Sequence, residues 1–263
     1  MMQLQQICIY PIKSTQGYFL PQAVVLSQGL NFDREFMLTE PNGKMITARK
    51  EEALFRLSAY PIPMGLQVVH QDGSMLTVHY SDFQHTTACE VWEDVFESFI
   101  ANDEINRWFS EKLARDVQLR WTGLHTERRT ARPPETPVAF ADGYPILLTT
   151  EASLQQLQQN CPVPISMANF RPNIVVSGNE PFQEEQWKKI QIGGATFINV
   201  KPCERCVLIT RDPQHHQLDK KMEPLRSLKK LNTNAQGKTI FGINLIPLNT
   251  GVIRVGDEVK ILE

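Results

Sequence analysis

The chain has 263 residues, of which 41% are apolar, 8% aromatic and 21% charged, and this composition excludes a disordered chain, a collagen-like repeat and a coiled coil. Its 27 Lys and Arg residues against 29 Asp and Glu residues give a net charge of −2, which offers no bulk electrostatic attraction to a nucleic acid polymer. No apolar run approaches the roughly 18–20 residues of a membrane span, and the first residues lack a signal-peptide pattern, so we expect a cytoplasmic protein of one large domain or two small ones.

Short strands separated by turns are predicted for the N-terminal third of the chain. Asn42-Gly43 and Asp72-Gly73 are turn dipeptides between apolar runs, and each predicts a hairpin. Regularly spaced short strands are typical of a barrel or a sandwich. The strands are predicted at residues 7–12, 23–26, 36–39, 45–48, 66–70 and 75–79.

Helical signals follow in three later segments. Asn102 or Asp103 can cap the first helix, because their side chains accept hydrogen bonds from backbone N–H groups. Thr149 or Thr150 can cap the second, and Pro224 suits the first turn of the third. The helices are predicted at residues 102–113, 151–158 and 223–231. Further strands are predicted at residues 117–121, 173–176, 189–192, 196–200, 207–210 and, as a closing hairpin with a Gly-Asp turn, 251–261.

The elements together predict a mixed, β-rich α+β fold, barrel-like and with a few helices. Residues 122–137 are polar and contain Arg128, Arg129, Arg132 and three prolines, so they predict a long loop. Such a loop is either an ordinary solvated connection or a lid or surface for an anionic partner.

The five cysteines are odd in number and too few for a disulfide scaffold in a chain of this length. Cys8, Cys89 and Cys161 are scattered and are expected to be small core residues. The close pair Cys203 and Cys206 has four possible uses. It could belong to a structural zinc site, form a thioredoxin-like redox pair, bind a soft transition metal through one thiolate, or be two half-buried thiols at a turn.

Isolated cations beside turn residues form a second signal. Lys13 and Ser14 follow the first strand, Arg34 follows a turn, and Arg171 and Asn173 precede a strand. Each is either an ordinary surface residue or part of a site for a phosphorylated cofactor, because Arg can clamp phosphate and Lys adds a point charge. Neither a Walker loop nor a Gly-x-Gly-x-x-Gly motif is present, so phosphate binding would use scattered residues.

A third signal is Asp142, which precedes Gly143 and an apolar strand. Asp-Gly at such a position is either a turn or a carboxylate at the edge of a pocket. In the second case the carboxylate could shuttle protons or orient a substrate nitrogen. Gly-x-Ser-x-Gly and His-Glu-x-x-His are absent, which excludes hydrolases with those motifs.

Seven segments in fixed order resemble the MOSC proteins, named after the molybdenum cofactor sulfurase C-terminal domain. The resemblance spans essentially the whole chain, and it is strongest to the branch of bacterial YcbX proteins and mitochondrial amidoxime-reducing components. The segments are residues 10–14, 32–37, 46–49, 140–145, 169–178, 201–206 and 251–257.

The resemblance implies a MOSC β-barrel over residues 96–263 and a β-barrel-like N-terminal subdomain over residues 1–95, with cofactor contacts from both. It implies a molybdenum cofactor, in which a mononuclear molybdenum is held on molybdopterin. Cys206 maps to the catalytic metal ligand and Cys203 to a neighbour that does not bind the metal. Asp142 maps to a catalytic pocket residue. The residues that map to cofactor binding are Lys13, Ser14, Arg34, Thr150, Arg171, Asn173, Glu204 and Arg205; the family often has Ser at the position of Glu204.

The implied reaction is reduction of small N-hydroxylated compounds such as amidoximes, hydroxylamines and N-hydroxylated base analogues. Some bacterial relatives carry a C-terminal ferredoxin-like domain, which needs four cysteines in plant-type spacing. This sequence has no such spacing, so we expect either a separate iron–sulfur or flavin electron donor or a chain cut from a longer protein. The alternative is a non-catalytic MOSC module that carries or delivers molybdenum cofactor or sulfur.

Overall fold

Strands provide most of the regular structure in this computed structural model, which describes residues 1–132 and 135–263. In Gln22–Leu26 buried and exposed residues alternate, as expected for a strand with one solvated face, whereas Ile174–Val176 is buried throughout. The strands in the described ranges are β1 (Leu4–Ile9), β2 (Tyr18–Leu20), β3 (Gln22–Leu26), β4 (Gly29–Leu30), β5 (Phe36–Thr39), β6 (Leu57–Ile62), β7 (Gly65–His70), β8 (Met75–His79), β9 (Phe83–Val91), β10 (Asp94–Ala101), β11 (Gln118–Trp121), β12 (Ile146–Thr150), β13 (Ile174–Val176), β14 (Lys189–Ile192), β15 (Ala195–Glu204), β16 (Ile240–Pro247), β17 (Gly251–Arg254) and β18 (Val259–Ile261).

Two of the helices begin where the capping residues predict. Asn102 accepts a hydrogen bond from the backbone N–H of Ile105 at 3.0 Å, and Thr150 accepts one from the N–H of Ser153 at 3.1 Å. Both caps confirm the predicted positions. No helix in the described part of the chain has the length and apolar character needed to cross a membrane. The helices are α1 (Asp103–Leu113), α2 (Glu151–Asn160), α3 (Met167–Phe170) and α4 (Leu225–Leu231).

An eight-stranded sheet runs in the order β18-β14-β15-β16-β12-β13-β1-β2, and all its neighbours are antiparallel except β12 and β13. A four-stranded sheet has the order β5-β11-β10-β9, and two three-stranded sheets have the orders β17-β3-β4 and β6-β7-β8. The predicted β-rich α+β class is therefore confirmed. The Asp-Gly turn forms its predicted hairpin, with Val69 opposite Met75.

Two large hydrophobic cores flank the cavity described below. One core contains Ile9 and Leu30 and lies against the eight-stranded sheet; the other contains Ile12 and Phe36 and lies against the four-stranded sheet. The chain passes from the first of these cores to the second over residues 10–12 and again, after returning, over residues 31–36. Polar side chains on these two connections can face a cavity while the flanking apolar residues hold them in place.

Two predicted strands and one predicted strand pairing differ from the structure. Residues 207–210 form a 3₁₀ turn, because Ile209 packs with Phe170 and Phe241 instead of joining a ladder. The predicted hairpin over residues 251–261 is wrong, since β17 pairs with β3 and β18 pairs with β14 in another sheet. Residues 45–48 form no strand and keep only a single bridge, between Thr39 and Met45.

Candidate functional site

A cavity of about 330 Å³ opens between the two cores. It gathers residues from the connections that follow β1 and β4, from the segment before β12, from the segment between α3 and β13, and from the end of β15. Nine of the ten residues that the sequence suggested line it: Lys13, Ser14, Arg34, Asp142, Arg171, Asn173, Glu204, Arg205 and Cys206.

Thr150 is the exception. Its hydroxyl caps α2 and also lies 3.2 Å from Oε2 of the buried Glu184. The side chain is fully buried and engaged in these contacts, so the structure does not bring it to the cavity. A threonine at the end of a strand fits both a pocket residue and a helix cap, and here it is the cap.

Two arginines lie over the ring of the buried Tyr10. The Cζ atom of Arg34 is 4.4 Å from the ring centroid and that of Arg171 is 4.0 Å from it. Both arginines have left-handed backbone conformations, with φ of 50° and 56°. Such conformations are uncommon for bulky residues, so the surrounding contacts must hold these two turns.

The two arginines differ in their partners. Arg34 pairs with the buried Asp33 at 2.6 Å and donates to the side-chain oxygen of Asn173 at 2.9 Å. Desolvation would lower the pKa of Arg34, but the Asp33 carboxylate outweighs it and raises that pKa, so the guanidinium stays charged. Within the described ranges Arg171 has no ion pair, and burial lowers the pKa of its guanidinium.

The side chain of Asn173 links three segments of the chain through hydrogen bonds. Its side-chain oxygen accepts from Arg34 and from the backbone N–H of Leu147, and its amide donates to the carbonyl of Cys8 at 3.1 Å. These bonds use most of its hydrogen-bonding capacity inside the protein. Asn173 therefore orients Arg34 toward the cavity more than it offers groups to a ligand.

Asp142 is held by two cations. Lys13 donates to its Oδ1 at 2.5 Å and Arg49 donates to its Oδ2 at 3.3 Å. Desolvation would raise the pKa of Asp142, but Lys13 and then Arg49 and Arg34 outweigh it and hold the pKa well below its usual range. The low pKa keeps this carboxylate ionised. Because the side chain is 58% exposed, the carboxylate is also accessible from the cavity.

Arg128 holds the segment that carries Asp142. This arginine is buried, and its guanidinium donates to the carbonyls of Ala139 and Asp142 at 3.0 Å each and to that of Ala141 at 2.5 Å. The Asp94 carboxylate completes the set at 2.9 Å. The loop predicted over residues 122–137 is thus anchored inward at Arg128, although its prolines at positions 133 and 134 lie outside the described residues.

The Cys-x-x-Cys segment turns at the end of β15. Arg205 donates to the sulfur of Cys203 at 3.1 Å and to the carbonyl of Phe170 at 2.7 Å. Cys206 is half-buried and lines the cavity, and its sulfur has no hydrogen bond in the described part of the chain. Within residues 1–132 and 135–263 no cluster of three or more His, Cys, Asp or Glu could hold a metal, so the structural-zinc alternative has no ligand set there.

The charge of the cavity is strongly positive although the chain as a whole carries −2. Its lining contains six cations against the acids Asp142 and Glu204, and Glu204 is paired with Lys201 at 3.2 Å. Arg49 and Lys201 were not assigned to the site, although both lie in segments that carried the family resemblance. A cavity of this kind can hold a polyanionic ligand with a thiol at one wall. The cations are Lys13, Arg34, Arg49, Arg171, Lys201 and Arg205.

Comparisons with known proteins agree on one family. A MOSC N-terminal beta barrel domain matches residues 1–116 and a MOSC domain matches residues 135–260. Mitochondrial amidoxime reducing component 2 of Rattus norvegicus is 32% identical over 285 residues, which cover 98% of this chain and 84% of that protein. Mitochondrial amidoxime-reducing component 1 of Homo sapiens is 29% identical over 278 residues, 98% of this chain and 82% of that protein.

A plant protein is also similar. Molybdenum cofactor sulfurase of Oryza sativa subsp. japonica is 29% identical over 267 residues, which cover 92% of this chain. This chain spans only about a third of that protein, 32% of its length. The similarity therefore concerns one part of the sulfurase.

Proposed function

Because this chain belongs to the MOSC-domain family that includes the mitochondrial amidoxime-reducing components, we propose that it is a molybdenum-cofactor-dependent oxidoreductase that reduces small N-hydroxylated compounds. Amidoximes, hydroxylamines and N-hydroxylated base analogues are its proposed substrates. The cytoplasm is the proposed location, since the five free thiols of this chain suit a reducing compartment.

One observation carries the proposal: a single cavity joins six cations to the sulfur of Cys206. A phosphorylated, sulfur-rich cofactor needs both features, a positive wall for its phosphate and a soft ligand for its metal. The two features come from distant parts of the sequence, between Lys13 and Cys206, and the fold brings them together.

Several atoms in the cavity fit such a cofactor because they lack partners of their own. The buried Nε of Arg205 has no hydrogen-bond partner in the described residues, and Arg171 has no ion pair there. The hydroxyl of Ser14 and the sulfur of Cys206 are likewise without hydrogen bonds in the described ranges. Buried polar groups usually have partners in a folded protein, so the Nε of Arg205 favours a polar ligand in the cavity. Ser14, Arg171 and Cys206 are half-buried, and their groups are available to the same ligand.

In the proposed arrangement Cys206 is the metal ligand, and the phosphate and pterin contacts come from Lys13, Ser14, Arg34, Arg171 and Arg205. When bound, the molybdenum cofactor supplies the redox chemistry that removes the oxygen of an N–OH group. Glu204 contributes through its backbone, because its carboxylate is exposed and paired with Lys201.

Asp142 is proposed to orient the substrate. Its pKa lies well below the usual range, so the carboxylate accepts hydrogen bonds and is a poor proton donor near neutral pH. It therefore suits recognition of a substrate N–H or O–H group. Of the two roles that the sequence left open, orientation of a nitrogen is favoured over proton delivery.

Reduction of an N–OH group to N–H consumes an electron pair and two protons and releases water. The cysteines of this chain lack the spacing of a plant-type iron–sulfur cluster, and three of them are buried. We therefore propose that the electrons come from a centre outside these 263 residues, such as a separate iron–sulfur protein or flavoprotein reductase.

The test combines molybdenum per chain with reduction of benzamidoxime by a chemical electron donor, on protein from a host that makes the cofactor. We expect near-stoichiometric metal and turnover for the unaltered chain. Cys206→Ser should lose both, because it removes the metal ligand, while the matched variant Cys203→Ser should keep the metal. Wild-type metal content and activity in Cys206→Ser would reject the ligand assignment.

A second candidate function rests on the similarity to part of a molybdenum cofactor sulfurase. A module that carries or delivers the cofactor or its sulfur would use the same cations but would have to release its cargo. Stoichiometric metal without turnover, with a donor shown to reduce the metal, and transfer of cofactor to an empty acceptor enzyme would favour this function.

A further inference from the structure

Cys203 is a cavity thiol that the proposed reaction does not use. It is half-buried, and its sulfur accepts a hydrogen bond from the Nη1 of Arg205 at 3.1 Å. That guanidinium is fixed at its other end by the carbonyl of Phe170, at 2.7 Å. The cation is therefore held against the sulfur by the fold.

None of the other four cysteines combines access with a cationic donor. Cys8, Cys89 and Cys161 are buried, and burial raises the pKa of each thiol, that of Cys8 to about 11. Cys206 faces the same cavity, but no donor in the described part of the chain bonds to its sulfur. Cys203 is thus the thiol best placed to react with a dissolved reagent.

The charges around Cys203 select for anions. Lys201 is paired with Glu204, Lys13 with Asp142 and Arg34 with Asp33, so Arg205 next to the sulfur and Arg171 on another wall are the lining cations left without an ion pair in the described ranges. A cleft lined by one sign of charge raises the local concentration and association rate of ligands of the opposite sign, by about tenfold or more at low salt.

We propose that Cys203 is a modification site selective for small anionic disulfides of the glutathione disulfide class. The Cys203 sulfur attacks one sulfur of the disulfide, a new S–S bond forms to the protein, and the other half leaves as a thiolate. The disulfide is the oxidant, and the proton of Cys203 passes to solvent. The adduct places anionic groups among the cavity cations. This inference does not depend on the proposed reductase function.

The test measures initial rates of thiol modification on the full chain, purified from a host that cannot make the cofactor. The probes are the dianionic disulfide dithiobis(nitrobenzoate) and the uncharged disulfide dithiodipyridine, each scaled to its rate with a small free thiol. We expect the scaled rate of the dianion to exceed that of the neutral probe by about tenfold at low ionic strength and to approach it at about 0.5 M salt.

Variants assign the rate to a residue. The fast phase should persist in Cys206→Ser and vanish in Cys203→Ser, and peptide mass spectrometry should find the adduct on Cys203. Arg205→Gln should reduce the preference for the dianion several-fold, whereas Gln at Arg226, an exposed arginine on α4, should leave it unchanged. A fast phase that survives in Cys203→Ser, or equal scaled rates for the two probes at low salt, would overturn the proposal.

Discussion

Arg34 and Arg171 both pack over the ring of Tyr10, but they have different hydrogen-bond partners. Arg34 is fixed by Asp33 and Asn173, so much of its hydrogen-bonding capacity is used inside the protein. Arg171 packs over the rings of Tyr10 and Phe55 at 4.0 and 5.5 Å and has no ion pair in the described residues. A ligand in the cavity would therefore gain more from Arg171, whose donors are free to form new hydrogen bonds.

Arg171→Ala should lower the molybdenum content of the purified protein. A hydrogen bond to a charged group contributes about 1.5–3 kcal/mol, so the loss should weaken cofactor affinity by about tenfold or more. Metal analysis on protein from a cofactor-producing host measures this, with Arg226→Ala as the matched surface control. Unchanged molybdenum in Arg171→Ala would reject its role as a phosphate clamp.

Glu35 is a buried carboxyl outside the cavity that should make stability depend on pH. Desolvation raises its pKa from 4.5 to about 7, although the backbone N–H of Phe32 donates to it at 2.7 Å. The folded state therefore holds the proton more tightly than the unfolded state does. The stability that this proton provides is fully present below about pH 4.5 and is lost as the pH rises through about 7.

Glu35→Gln should accordingly raise the free energy of unfolding at about pH 8 by roughly 2–3 kcal/mol and have little effect at about pH 4.5. Urea titrations at a series of pH values measure the difference, and Gln at the exposed Glu180 is the control. An equal change in the free energy of unfolding at both pH values would show that the effect does not come from the ionisation of Glu35.

The segment over residues 139–142 shows how an element without regular structure can be fixed. Its carbonyls at Ala139, Ala141 and Asp142 accept from Arg128, and its carbonyl at Phe140 accepts from Lys13 at 2.7 Å. Two buried cations thus replace the ladder that a strand would provide. They also place Asp142 at the edge of the cavity.

Arg128→Gln should destabilise the protein by about 2–4 kcal/mol, because buried carbonyls would lose a charged donor. The adjacent Arg129 is exposed and gives a matched control, since Arg129→Gln leaves the carbonyls of residues 139–142 bonded. Denaturant unfolding of the two variants makes the comparison. Similar stabilities for both variants would show that the hydrogen bonds from Arg128 to residues 139–142 do not stabilise the fold.

Local signals predicted an element well where its own residues decide it. The caps at Asn102 and Thr150 and the turn at Asp72-Gly73 depend on short-range hydrogen bonds, and the structure confirms them. The prediction of a C-terminal hairpin is wrong because β17 and β18 pair with strands of two different sheets, and no local sequence pattern encodes those pairings. The strand predicted over Val207–Thr210 is wrong because such a short, mostly apolar run suits a strand and a tight turn equally.

Sequence motifs predicted which residues form the site, but they did not predict in which direction each side chain points. The family resemblance selected nine residues that the fold does bring to one cavity. Arg128 was expected either in a solvated loop or on a lid or surface for an anionic partner, and its inward direction was missed because the sequence does not tell whether an isolated arginine points inward. Thr150 was selected for the pocket, but the helix that follows takes its hydroxyl.

At the scale of the whole molecule, charge is separated even though its sum is small. The chain carries −2, yet the cavity between the two cores has six cations and two acids on its walls. Like charges held close together repel one another and lower stability, and a bound polyanion relieves that repulsion. Anion binding and global stability should therefore be linked.

Pyrophosphate should raise the unfolding temperature of protein that lacks cofactor. At a ligand concentration of about 100 times the Kd the stabilisation is about 2.7 kcal/mol, which corresponds to a rise of roughly 5–10 °C for a chain of this size. Potassium chloride at equal ionic strength should give no such rise, and it should weaken the effect of pyrophosphate by screening. A double variant with Gln at Arg171 and Arg205 should lose most of the rise, whereas Arg226→Gln should keep it. If potassium chloride stabilised the protein equally, or if the double variant responded like the unaltered chain, the cavity would not be the site of anion binding.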